Sequence, residues 1–531
     1  MNPGDKQTMR SETGKIPVII GITGHKDLRD RDLDDLKNAV CTQLESLRTK
    51  YPNSGFAVMT CLAEGADQLC AEAALGMGFE IITILPMPVN EYSEDFEGDA
   101  LRKLNELIGQ SSKILMAPYK EPFREDRDYL YRQAGLYIAE HCHVLFALWD
   151  GTPGNAGEYS TASVVRAKLR NLANGSAGEQ LHSADGVVVQ IVTPRSEACN
   201  ADVNAGDVIV HGDEGLCGRI LRDTDNYNKD CMKNASVGAE DDKIRAVYAA
   251  SDRLSIINDI WDRRVLIGLS ACATILTMAF LLYDEAELHW MILQCGVMII
   301  SLFAINLFTK WTRFNARYVE YRVLAESCRV QTYLRAAGIS REVSDIMPWN
   351  LQVNIPWIGR ALSAITIGEN ACEKKSILDD WILNQRDYHR KALKRTEVQL
   401  RRNDRMVTAA LIITIATYTA ALLFEMVCCG MLSGTSMFTP ETNDAVRTWF
   451  KLCMGAFSAV TLFANNYYGR LALPNIIDDH RKMAMLYEEA EREIADKGED
   501  EMLLLRIAED ELYENAHWYA YQNKHNEGLG I

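Results

Sequence analysis

Four stretches of this chain, 265–282, 289–308, 406–424 and 452–468, contain no Asp, Glu, Lys or Arg. They run for 18, 20, 19 and 17 residues. A helix rises ~1.5 Å per residue, so about 17–25 apolar residues cross a hydrocarbon layer of ~30 Å. The spacing therefore predicts four transmembrane helices in two closely spaced pairs. A buried core helix is the competing reading for any one run; four runs in two pairs argue against it. The last run is the least apolar, because Asn465 and Asn466 lie near its end, while Lys451 at the other end can snorkel.

Basic residues set the expected orientation. The loop 283–288 has none, and 425–447 has only Arg447. Arg263, Arg264, Lys310, Arg313 and Arg317 bracket the first pair; Arg401, Arg402, Arg405 and Arg470 bracket the second. Both hairpin tips are predicted to face outward, with both termini and the central segment cytoplasmic. That is a multi-pass protein of the inner (plasma) membrane. The first residues, MNPGDKQTMRSETGK, have no apolar core, so no cleavable signal peptide is expected.

Outside these runs the chain is acidic, with a net charge of −17, which argues against a nucleic-acid polymer as partner. A small nucleotide needs only local donors and is not excluded. The 14 cysteines show no C-x-x-C spacing and are read as reduced. No metal site or cofactor is expected.

Between about 15 and 195, β-rich runs at 18–22, 56–60, 81–85, 114–116, 144–148 and 187–192 alternate with amphipathic stretches such as 33–47 and 66–75. This alternation predicts a parallel sheet covered on both faces, with any ligand at the carboxyl ends of the strands. The distinctive residues fall at those ends. Gly21, Thr23, Gly24 and His25 follow or close the first strand; Glu64, Gly65 and Asp67 follow the second; Pro86 follows the third, ahead of Tyr92, Asp95 and Phe96. Asp150 and Gly151 follow the fifth, ahead of Gly154, Gly157, Ser160 and Thr161. Glycines let a backbone approach a phosphate, and a helix N-terminus supplies unpaired N–H donors. Glu64 or Asp67 would accept bonds from ribose hydroxyls. Each motif also has a plain reading, a turn glycine or a capping histidine.

The stretches GITGHKDL, LAEGADQL, ILPMPVNEYSEDF and ALWDGTPGNAGEYSTASVV together resemble the SLOG family of Rossmann-like nucleotide-binding domains. Its members include relatives of the LOG phosphoribohydrolases, TRPM sensor domains and sensors of bacterial defence systems. The resemblance covers about the first 195 residues. It implies binding of a nucleotide or nucleotide sugar by Gly21, Thr23, Gly24, Glu64, Gly65, Asp67, Asp150, Gly151, Ser160 and Thr161. The catalytic LOG enzymes carry Gly-Gly-x-Gly-Thr-x-x-Glu, whereas this chain has Tyr159 and Ser160 before Thr161 and Val164 at the position of the glutamate. Binding without turnover is the expectation. Glu64 would be the catalytic candidate if the chain were an enzyme.

The remainder divides into 196–245, a linker or small insert in which GDVIV and LCGRI are short strands or loop; 246–340, the first hairpin; 341–405, a cytoplasmic helical segment; and 406–525, the second hairpin and C-terminal helices. Long helices are expected from about 242 into the first span, through 311–336 as a continuation of the second, from 380 into the third, and at 475–497 and 500–520. RRVLIGLSACATILTMAF, the run Arg322 to Glu326, Trp381, Gln385 and Tyr388, and the terminal Glu514 to Trp518 resemble the SLATT family of two-span effectors, here duplicated. That resemblance implies pore formation or membrane disruption by a homo-oligomer. Small and hydroxyl residues recur in the spans, among them Gly268, Ser270, Thr274, Thr414 and Thr417, and suit either close helix packing or a pore lining.

The expected fold class is an α/β Rossmann-like domain with a parallel sheet plus an all-α four-helix transmembrane module with long cytoplasmic helices. The expected function is a membrane effector gated by a nucleotide-derived signal, permeabilising the inner membrane in bacterial antiphage defence. The alternatives are a membrane-tethered nucleotide or nucleoside-phosphate glycosidase and a membrane-anchored scaffold.

Overall fold

The computed structural model describes residues 14–152, 160–170, 186–195, 204–234, 242–285, 288–368, 377–429, 434, 436–471 and 473–526. The chain divides into two compact units. The first holds Met1–Leu254 with Arg322–Lys375, and the second Ser255–Tyr321 with Ser376–Ile531.

The first unit is built on alternating strands and helices: β1 (Val18–Gly24), α1 (Leu33–Lys50), β2 (Phe56–Thr60), α2 (Ala66–Gly76), β3 (Glu80–Leu85), α3 (Val89–Ser93), α4 (Gly98–Gln110), β4 (Lys113–Met116), α5 (Arg127–His141), β5 (Val144–Trp149), α6 (Thr161–Arg170) and β6 (Val187–Val192). All six expected strands are present and pair in parallel. The inner runs are largely apolar because both faces are covered: every residue of β6 is buried, and Val18, Ile19 and Ile20 of β1 are fully so, whereas β4 at the sheet edge exposes Ile114 and Met116. α1 turns Leu36, Val40 and Leu44, four apart, onto the sheet.

A seventh strand, β7 (Val208–Gly212), pairs antiparallel with β6, giving the order β4-β3-β2-β1-β5-β6-β7. It comes from the GDVIV segment of the expected linker. The neighbouring LCGRI is not a strand but part of α7 (Glu214–Asn234). Buried side chains fasten α7 to the sheet. Asn228 accepts the Ile16 N–H and donates to the Ile16 carbonyl, both at 2.8 Å. Asp225 accepts from the Asn53 N–H, the Asn53 amide and the Ser54 hydroxyl.

α8 (Lys243–Glu285) is one unbroken helix whose first part buries Ile244, Val247, Ala250 and Leu254 in the first unit. α9 (Met291–Thr312) and α10 (Phe314–Ala336) were expected as a single helix. Arg313 separates them with φ 52°, a left-handed turn that a residue with a Cβ rarely adopts. Phe314 contacts the rings of Trp261 and Phe308 there, each with centroids 5.8 Å apart.

After α10 the chain returns to the first unit through α11 (Val343–Ile346), α12 (Trp349–Asn354) and α13 (Pro356–Thr366). Pro356 occupies the first turn of α13, where no N–H is missed. Trp357 is buried, with its ring 5.8 Å from that of Tyr227 on α7. Lys113 Nζ donates to the Ile367 carbonyl and Arg360 to the Glu140 carbonyl, each at 2.7 Å. The first part of the expected cytoplasmic helical segment, 341–405, thus packs against the sheet domain.

In the second unit, a π-helical turn at Leu378–Leu383 leads into α14 (Asn384–Leu423), followed by α15 (Pro440–Leu471), α16 (Leu473–Lys497) and α17 (Glu501–Asn526). Three helices among the described residues are long and apolar enough to cross a membrane: Lys243–Glu285, Met291–Ala336 and Leu378–Cys428. Only 11%, 6% and 6% of their most apolar windows is buried, so these are not core helices hidden by the rest of the chain. The fourth expected span, 452–468, is helical within α15 and is not among these three. The helices approach closely at Gly455, where a Cβ would lie 2.2 Å from Leu281 Cδ1. The hydroxyls of Thr274, Thr414 and Thr417 donate to carbonyls one turn back, so their bonds close within their own helices.

Candidate ligand-binding site

Strand order reverses at β1, whose neighbours are β2 and β5. At such a point the loops at the carboxyl ends part and leave a crevice. His25 is the hub of this one. Its N–H donates to the Leu148 carbonyl at 3.0 Å, and its carbonyl accepts the Ala66 N–H, the first of α2, at 3.0 Å. Its ring Nε2 accepts the Asp150 N–H at 3.2 Å and lies 3.3 Å from Asp150 Oδ1. Loops after β1, β2 and β5 therefore meet on one residue.

Burial lowers the His25 pKa and outweighs the opposing Asp150 carboxylate, which favours the neutral ring. That agrees with an Nε2 that accepts a hydrogen bond. Burial works to raise Asp150, but bonds from Thr152 and the neighbouring His25 leave it below the usual carboxylate range. Gly151 has φ 86°, a left-handed conformation that a residue with a Cβ rarely adopts.

Several of the expected ligand-site residues make internal contacts. A Cβ on Gly24 would fall 2.3 Å from Ala66 Cβ and 2.9 Å from Leu148 Cβ; on Gly21 it would fall 2.8 Å from Ile138 Cγ2 and 2.9 Å from Cys142 Sγ. Both glycines are spacers that let helices close on the sheet. Thr23 is buried. Gly65, at φ 86°, would press a Cβ to 2.3 Å from the Lys26 carbonyl oxygen. Asp67 is buried and accepts from the Thr60 hydroxyl at 2.9 Å and the Cys61 N–H at 3.2 Å, so it braces the β2–α2 loop. The same loop holds Leu62 at φ 57°, with its N–H donating to Thr60 Oγ1 at 3.1 Å. Burial pushes the Asp67 carboxyl up to about 6, against the bonds it accepts. Pro86 is buried beyond β3.

Glu64 is exposed beside the crevice. Ser160 and Ser163 cap α6 reciprocally: each side-chain oxygen accepts the other's N–H, at 3.3 and 3.2 Å. The Ser160 hydroxyl therefore serves the helix end. Thr161 opens α6 and is half-buried. Val164 is 1% exposed and faces the core. Gly154, Gly157 and Tyr159 lie outside the described residues.

The chain matches no family model and no curated protein. The site is thus read from its own geometry.

That geometry contains a cluster the sequence reading passed over. Lys26 Nζ stands 5.4 Å from the centre of the Tyr131 ring. Arg127 donates to Asp95 Oδ2 at 2.6 Å, and the Tyr131 hydroxyl shares that oxygen. Burial works to raise Asp95, but these two bonds hold it below the usual range. Asp95 was visible as a motif residue after β3, whereas its partners one turn apart on α5 gave no sign of that distant contact. Together His25, Lys26, Glu64 and Asp150 present an imidazole, an ammonium and two carboxylates. Among the described residues no three His, Cys, Asp or Glu gather as a metal site. Cys61, the thiol on the adjoining loop, is pushed up by burial and is a poor nucleophile. The arrangement suits recognition of a polar small molecule better than covalent chemistry.

Proposed function

We propose that this chain is a membrane effector gated by a nucleotide-type ligand bound at the carboxyl ends of β1, β2 and β5. It would act as a homo-oligomer, forming a pore or permeabilising the inner membrane in bacterial antiphage defence. The SLOG and SLATT resemblances supply the ligand class and the defence role. The observation that carries the reading is the continuity of α8. Residues that it buries in the sheet unit and an apolar stretch fit for a bilayer belong to one helix. A ligand that prefers one arrangement of the crevice would bias the apolar segment through the sheet unit, since α8 packs by Gly14, ahead of the amino end of β1. In this proposal 452–468 completes a second hairpin, and both termini are cytoplasmic. The buried Val164 favours binding over the glycosidase alternative.

The test is depolarisation of cells expressing the full chain, exposed to a panel of nucleotides and nucleotide sugars. Wild type should lose membrane potential with one of them. Lys26→Glu should not, while remaining in the membrane fraction. A nucleotide that protects the sheet amides from exchange yet leaves the potential unchanged would rule out gating.

A further inference from the structure

The two edges of the sheet are treated differently. Against β4 the chain brings its own later residues: Lys113 Nζ donates to the Ile367 carbonyl at 2.7 Å, and a Cβ on Gly368 would stand 3.0 Å from Leu115 Cδ2. On β7, Val208, Ile209 and Val210 are 38%, 46% and 38% exposed, and among the described residues no strand pairs beyond it. Its sequence, VIVHG, holds no Lys or Pro, the residues that usually guard an edge. The Val192 N–H donates to the Asp207 carbonyl at 2.8 Å. Backbone groups alternate in direction along an antiparallel pair, so residues 207, 209 and 211 bond toward β6. The N–H and C=O of Val208 and Val210 then point away from the sheet. Side chains alternate too: Asp207, Ile209 and His211 share one face, Val208 and Val210 the other. On the first face His211 Nε2 lies 2.8 Å from Gln190 Oε1. Gln190 Nε2 donates to the Trp149 carbonyl at 3.1 Å, so Oε1 is the acceptor and the His211 ring donates to it.

We propose that β7 is the surface through which two copies of this chain join, pairing antiparallel about Ile209 so that one sheet runs through both. A twofold axis at Ile209 sets Val208 opposite Val210 of the second copy, and the reverse. The residues whose backbone groups point outward thus meet each other and exchange both N–H···O bonds. Their side chains make apolar cross-strand pairs on one face. On the other face Ile209 meets Ile209, and Asp207 lies opposite His211 on either side, a carboxylate against an imidazole. No other register does as well. An axis at Val210 opposes Asp207 to Asp213, two like charges, and an axis at Val208 opposes Asp207 to Ile209 and Val210 to Gly206. An axis between residues sets outward backbone groups against inward ones. The occupant is a second copy because the strand complements itself in hydrogen bonds, apolar pairs and charge at one register. The contact gives the homo-oligomer of the proposed function a surface and rests on that part of it alone, needing neither ligand nor pore.

The test is disulfide cross-linking of the full chain in detergent, with linked peptides identified by mass spectrometry and the wild-type chain as background. Ile209 faces its own copy in a non-hydrogen-bonded pair, with Cα atoms ~4.5 Å apart and within reach of a disulfide. Ile209→Cys should therefore link to itself. In Val208→Cys the two thiols stand diagonally, with Cα atoms ~8 Å apart, too far for a disulfide, and no link should form. Ile209→Lys, at an exposed position, sets two ammonium groups against each other. It should weaken self-association about tenfold by light scattering while the β6 amides keep their exchange protection. Equal linking at both positions overturns the β7 contact. So does a wild-type oligomer in which Ile209→Cys gives no link or Ile209→Lys associates unchanged, though the homo-oligomer itself then stands. A wild-type chain that is monomeric at every concentration overturns both.

Discussion

The sheet unit and α9 use the same side chains in opposite surroundings. Ile19, Ile20 and Val188 are fully buried, while Leu293, Ile300 and Phe303 are 73%, 69% and 64% exposed. In the sheet, apolar surface is removed from water by the chain's own helices, worth about 25 cal/mol per Å². On α9 the chain leaves most of the apolar surface open, as a helix long and apolar enough to cross a membrane does. The difference teaches that hydropathy alone does not tell a core from a span; length does. No strand of the sheet exceeds seven residues, whereas α9 runs for 22.

The sharpest way to break this comparison is a substitution that only one region feels. Gly24→Val places a branched side chain where even a Cβ would stand 2.3 Å from Ala66 Cβ. The expected loss is about 3 kcal/mol or more, since overpacking of this kind forces the backbone to move. Exchange protection of the β1 and β2 amides should fall while the protein stays in the membrane fraction. Loss of membrane association as well would show that the two regions do not fold separately.

The converse change is Ile300→Arg. Ile300 is largely exposed, so no packing in the chain is lost, and the sheet amides should keep their protection. A charge at the middle of a span costs about 2.5–3.5 kcal/mol of insertion. Glycosylation-site mapping of a chain carrying it should show a reduced inserted fraction. Full insertion would mean that α9 lies elsewhere than across a bilayer.

The same contrast explains what could be read in advance. Runs such as VVVQIV and the uncharged stretches are local signals, fixed by period and length, and they placed six strands and three of the apolar helices. Contacts between distant residues left no local trace. Asn228 meets Ile16 across 212 positions, α13 returns to the sheet unit after two apolar helices, and Arg313 breaks a stretch with no Gly or Pro. At the crevice, the sequence placed His25 and Asp150 in adjoining loops, and they touch. It could not separate a glycine that admits a ligand from one that admits a helix, because both are simply a missing side chain. Gly21 and Gly24 are of the second kind. The cation and aromatic ring beside them, Lys26 and Tyr131, come from different elements and meet only in three dimensions.

Asp67 gives the smallest effect and separates the ligand reading from the bracing one. Its folded carboxyl keeps a proton up to about 6, while the unfolded chain releases it near 3.8. Between those values the folded state binds more protons, so raising the pH removes stability. The stabilisation is complete below the unfolded value and lost as pH climbs through the folded one, about 2–3 kcal/mol in all at 1.36 kcal/mol per pKa unit. Urea midpoints read by protection of the β2 amides should therefore decline between about pH 4 and 6. Asp67→Asn should flatten that decline, because an amide has no proton to release there. If the slope is unchanged in the variant, Asp67 is not the group that titrates.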